Sequence, residues 1–129
     1  MMQQNIGITD EDFQTYMSFP QNMKLAESTP EMMKYQIIAE VVEARYCTAG
    51  IKKGQKYTFQ ALPAVLLPDQ STAPVCARGM APLGVAIGEI WEELFDGKLK
   101  THIVECLDPG VKKGGLGHIV FKLYAKKSE

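Results

Sequence analysis

The sequence predicts an α+β domain: a small, mostly antiparallel sheet of about four strands, arranged as two hairpins and packed on one main helix, with an N-terminal helical extension. Three observations predict it. Residues 35–47, 55–61, 100–106 and 118–126 are β-branched or alternate apolar and polar residues. Only residues 81–96 carry a long apolar stripe at helical spacing. The strands pair off across glycine-bearing loops. A chain of 129 residues fits one domain of ordinary size and can bury a core without disulfide staples.

Residues 1–34 read as the extension, and residues 35–129 as the single α+β domain. Thr9 and Asp12 resemble a capping box, and Phe13, Tyr16 and Met17 follow at helical spacing. Pro20 stops that helix. Thr29-Pro30 reads as a second start, with Thr29 as cap and Pro30 in the first turn. The extension carries much apolar surface in Phe13, Tyr16, Met17, Phe19 and Met23, which predicts docking on the domain, on a second copy or on a protein partner.

Residues 35–47 are ambiguous in period, and their β-branched content favours a strand. Residues 48–54 read as a turn leading to the strand at 55–61. Pro63, Pro68 and Pro74 make residues 62–80 a long loop, whose AVLLP segment is too apolar to be free in water. Leu83, Ile87, Ile90, Trp91, Leu94 and Phe95 form the stripe of the main helix, with Pro82 placed in its first turn and Gly97 as its stop. Residues 107–117 form a glycine-rich loop between the last two strands.

The composition excludes several classes of function. A formal net charge of -1, without interleaved aromatic and basic residues, gives no field to recruit nucleic acid. No apolar run approaches the roughly 20 residues that span a bilayer, so no membrane partner is expected. The polar, acidic N-terminus lacks the features of a secretory signal, so the expected compartment is the cytoplasm. Three cysteines, an odd number, argue against a closed disulfide framework.

Cys47-Thr-Ala-Gly50-Ile-Lys52-Lys53-Gly54 is echoed by Cys106-Leu-Asp-Pro-Gly110-Val-Lys112-Lys113-Gly114. Either a strand–loop–strand unit is repeated, or loops that favour glycine and lysine coincide. Connectivity has a consequence in both cases. If the main helix runs down across the sheet, Cys47, Cys76 and Cys106 all lie at its upper edge, with the four loop lysines.

These motifs, Cys47-x-Ala-Gly50, the lone Cys76 before the main helix, and Cys106-x-Asp108-Pro109 ahead of Val120-Phe121-x-Leu123, resemble a small family of uncharacterised prokaryotic proteins. The resemblance covers roughly residues 35–125. The family often has proline after the first and last cysteine, where Thr48 and Leu107 stand here. The resemblance implies that the three cysteines act as a set, and implies no chemistry.

Three site readings follow. Cys47, Cys76, Cys106 and His118 are the right donors for zinc or an iron–sulfur centre, although no Cys-x-x-Cys pair is present. Thiolates are favoured at helix N-termini and beside guanidinium groups, which makes Cys76, near Arg78, a candidate nucleophile. Lys52, Lys53, Lys112 and Lys113 sit on glycine-flanked turns suited to anions such as phosphate or carboxylate. The plainer alternatives are packed thiols and solvated turn lysines. The function expected first is an accessory or structural subunit of a larger assembly. The alternatives are a three-cysteine metal protein and a thiol-dependent enzyme acting on an anionic small molecule.

Overall fold

The computed structural model describes residues 6–128, so the first five residues of the predicted extension and residue 129 lie outside the described residues. The chain divides between Pro30 and Glu31 into two compact units.

In the first unit, helix α1 (Asp10–Met17) starts at Thr9, whose hydroxyl accepts the Asp12 N–H at 3.1 Å. Helix α2 spans Pro20–Met32. The start expected at Thr29-Pro30 is therefore absent. The Thr29 hydroxyl donates back to Leu25 O at 2.9 Å, so it cannot cap a new helix. Pro30, in the last turn, forfeits one backbone bond without ending α2.

The second unit is the sheet, with strands β1 (Tyr35–Arg45), β2 (Lys56–Gln60), β3 (His102–Glu105) and β4 (His118–Lys127). All pairs are antiparallel and the order is β2-β1-β4-β3. This order lays two like-oriented hairpins side by side, β3–β4 repeating β1–β2 shifted by two strands. Residues 31–34 belong with the sheet. Met32 is buried, and the Glu31 carboxylate meets Lys34 and Lys127 at 3.3 Å each.

One face of the sheet holds the core. Ile37, Ala39 and Val41 of β1, Tyr57 and Phe59 of β2, and Phe121 and Leu123 of β4 pack with Leu83, Ala86, Ile87 and Ile90. These last four residues come from helix α3 (Ala77–Asp96). The AVLLP loop closes the free edge of β2. Gln60 N–H donates to Val65 O at 2.9 Å, Leu67 N–H to Thr58 O at 2.8 Å, and Leu66 packs against the core. Unpaired edge groups are thereby covered.

Helix α3 begins four residues earlier than the sequence predicts, and Pro82 lies inside it. Proline has no N–H to give to the carbonyl four residues back, which here belongs to Arg78. That carbonyl instead accepts Leu107 N–H at 3.2 Å. The proline therefore leaves an acceptor that ties the segment after β3 to the first turn of α3. Cys76 becomes the N-cap residue.

A close approach fixes the other side of the same edge. A Cβ on Gly117 would stand 2.7 Å from Tyr46 O and 3.1 Å from the Cys47 Cα. Only glycine lets the start of β4 lie this close to the turn after β1. Gly117→Ala should therefore cost about 1–3 kcal/mol by forcing backbone apart. Gly84→Ala, at an exposed helix position with no atom within 4 Å of the added carbon, should gain roughly 0.5–1 kcal/mol. Urea unfolding of the two variants checks both signs.

Candidate functional site: a three-cysteine cavity

The structure brings all three cysteines to one cavity. Cys47, Cys76 and Cys106 line a space of about 50 Å³ together with Arg78, Asp108 and Gly117. Each arrives by a different route. Cys47 follows β1, Cys106 follows β3, and Cys76 caps α3. A bulge between Val41 and Glu43 shifts the β1–β4 register, so the inward positions change from Ile37, Ala39 and Val41 to Ala44. The left-handed residue Tyr46 (φ 49°) then turns its own ring to solvent and returns Cys47 to the core. The volume admits only a few atoms, less than a whole small molecule.

The three sulfurs are not equivalent. Cys106 Sγ accepts Ile119 N–H at 3.3 Å and donates to Asp108 O at 3.6 Å. Among the described residues, the Cys47 and Cys76 sulfurs have no hydrogen-bond partner. Cys76 precedes the first turn of a 20-residue helix, where backbone N–H groups lack partners in the helix and favour anions.

Asp108 organises the loop behind Cys106. Its Oδ1 accepts Gly110 N–H and Leu116 N–H at 3.0 Å each, and its Oδ2 accepts Gly117 N–H at 2.9 Å. The Gly110 N–H above all, then those of Leu116 and Gly117 and the Arg78 charge, hold its carboxyl below the usual carboxylate range against the cost of burial. A Cβ on Gly115 would fall 2.1 Å from Asp108 Oδ1, so that glycine makes room for the carboxylate.

His118 is engaged at both ring nitrogens. Nδ1 meets Asp108 O at 2.9 Å and Nε2 meets Glu105 Oε1 at 3.1 Å. Both partners are acceptors, so only the imidazolium donates to each. The Asp108 carbonyl first, and Glu105 next, raise the His118 pKa, with burial opposing. His118 is thus committed elsewhere and does not serve as the fourth ligand expected from the sequence. The cysteines also lack ligand geometry. Among the described residues, no three His, Cys, Asp or Glu side chains are grouped so as to hold a metal ion. The donor set expected for zinc or an iron–sulfur centre does not form.

Tyr57 positions Cys76 from below. It is fully buried, and its hydroxyl donates to Pro74 O at 2.5 Å. Burial chiefly pushes its pKa up to about 12, helped by the Cys76 and Cys47 thiols and opposed by the Cys76 backbone N–H. It therefore stays a neutral donor that holds the approach to α3.

The lysines part company. Lys112 and Lys113 line a pocket of about 810 Å³ that shares Cys106 with the cysteine cavity. Lys53 lines a separate pocket of about 400 Å³ beside Val42 and Tyr46, and Lys52 lines none of these three spaces. The reason is local. The first loop folds back along β1, with Gly54 N–H on Val41 O at 2.9 Å, which carries Lys52 and Lys53 away from the tip.

No protein-family model, curated protein or solved structure matches this chain.

Sequence reasoning placed the cysteines at one edge but gave no site role to Asp108, Tyr57, Gly117 or the Arg78 carbonyl. The glycine spacing after Asp108 was the readable trace, because N–H groups two, eight and nine residues on converge on one carboxylate. The His118 contacts give a pH test. A raised folded pKa contributes stability that is complete below the ordinary histidine value of about 6.5 and fades as pH rises through the folded value. The stability lost in His118→Gln should thus be larger at pH 6 than at pH 8.5, read by urea unfolding at both. An equal loss would show that the imidazolium contacts carry no stability.

Proposed function

We propose that this protein is a thiol protein acting on an anionic small molecule, with Cys76 as the nucleophile and Cys47 as a second uncommitted thiol. One observation carries the reading: three cysteines from distant parts of the chain line one small cavity, yet only Cys106 has its sulfur tied by hydrogen bonds. A packed structural trio would give no reason for that division. The N-terminal end of α3 offers backbone N–H groups, and Arg78, whose charge also acts on Asp108, lines the cavity, so an anionic ligand would meet both. Cys106 and Asp108 then serve as a fixed wall. The test is cysteine modification by iodoacetamide, followed by peptide mass spectrometry. Cys76 and Cys47 should label first. Cys106, whose thiol proton is held by Asp108 O at about 1 kcal/mol, should label about fivefold more slowly. Labelling of Cys106 at the rate of Cys76 would sink the assignment.

A second reading rests on the N-terminal unit. α1 has no buried residue, and Phe19 and Met23 are about half exposed. These features support an accessory subunit that docks on a second copy or on a protein partner through residues 1–34. Removal of residues 1–30, which leaves the buried Met32 and the Glu31 contacts in place, should then lower the apparent mass of the assembly in gel filtration while leaving the folded core cooperative in thermal unfolding. An unchanged oligomeric size would remove this reading.

A further inference from the structure

The pocket of about 810 Å³ beside Cys106 falls in the range of small-molecule sites, roughly 300–1,000 Å³. Its lining divides into two kinds of surface. Tyr46, Leu107, Val111 and Leu116 are 70, 54, 57 and 49% exposed and converge on it as an exposed apolar surface. The charged groups mostly cancel. Glu43 pairs with Arg45 at 3.3 Å, and Glu105 with His118 at 3.1 Å. Lys112 and Lys113 remain, and among the described residues neither meets a carboxylate. The pocket thus presents an apolar wall and a net positive rim.

The loop is built to hold these parts in place. Asp108 gathers the N–H groups of Gly110, Leu116 and Gly117, so Val111, Lys112 and Lys113 ride on a short 3-10 turn whose two ends are pinned. Tyr46 faces them from β1 in a left-handed conformation that non-glycine residues seldom adopt, and such backbone persists where its surroundings hold it. The tyrosine ring and the lysine pair thus line the same pocket.

We infer that this pocket binds an aryl anion: a planar apolar body laid against Tyr46, Leu107, Val111 and Leu116, with its carboxylate, sulfonate or phosphate on Lys112 and Lys113. A flat body suits a single exposed tyrosine ring, which contributes by stacking. Paired lysine ammonium groups favour a compact anion by charge-assisted hydrogen bonds. This inference deepens the thiol reading by naming its ligand class, because Cys106 is the wall common to the pocket and the three-cysteine cavity.

The test uses the full chain and two fluorescent probes that differ by one charged group: 1-anilinonaphthalene-8-sulfonate, and the neutral N-phenyl-1-naphthylamine. The sulfonate should bind saturably at one site per chain and more tightly than the neutral probe. Lys112→Ala with Lys113→Ala should weaken the sulfonate about tenfold and leave the neutral probe within about twofold. Val111→Ser should weaken both. Lys52→Ala, on the other loop and outside every one of these pockets, should change neither. Thermal unfolding of each variant confirms that the fold is kept. Equal affinity for the two probes, or a sulfonate affinity that survives the loss of Lys112 and Lys113, overturns the inference. The measurement is repeated with Cys76→Ser. Binding there is expected to persist, so failure of Cys76 to react and failure of the pocket to bind are read separately.

Discussion

The antiparallel register between β1 and β4 decides where the three cysteines meet. Arg45 faces His118, so the chain leaving β1 and the chain entering β4 occupy the same edge. β3 then pairs with β4 on the far side and delivers Cys106 opposite Ile119. A one-residue slip in either pairing would turn every side chain to the other face and carry the cysteines out of the cavity. Burial of Ile37, Ala39, Val41, Phe121 and Leu123 on one face penalises any such slip. The core thus fixes the place where the cysteines converge.

A second tie brings in the helix. The sheet alone would gather Cys47 and Cys106 and leave Cys76 on a long proline-containing loop. Two contacts prevent this. Tyr57 holds Pro74 O from the core, and the Arg78 carbonyl, left without a helical donor by Pro82, accepts Leu107 N–H. Interior proline in a helix usually costs about 3 kcal/mol. Here the orphaned acceptor is used by the segment that carries Cys106, so a local defect of the helix joins two walls of the cavity.

That use also explains where sequence reasoning succeeded and where it failed. β1 and β4 were legible because apolar β-branched residues and alternation are local properties. The convergence of the cysteines was legible because it follows from strand and helix directions. The start of α3 was missed because proline is ordinarily a first-turn residue, and only Leu107, far along the chain, makes it acceptable inside the helix. Thr29-Pro30 misled for a related reason. A threonine before proline reads as a cap, but the Thr29 hydroxyl bonds backward to Leu25 O. The roles of Asp108 and Gly117 depend on contacts between loops, which no periodicity carries.

The two echoed loops show how one substitution of context separates equal cysteines. In both, the cysteine leaves an upward strand, and a glycine with positive φ stands at each end of the lysine pair: Gly50 and Gly54, Gly110 and Gly114. The first loop has Ala49 where the second has Asp108 and Pro109. Alanine gathers no N–H groups, so the first loop folds back along β1 and leaves the Cys47 sulfur without a partner. Aspartate draws in three N–H groups, and its carbonyl takes both the Cys106 thiol and His118. The same strand–cysteine–loop frame therefore yields a thiol left open in one copy and a thiol fixed as a wall in the other.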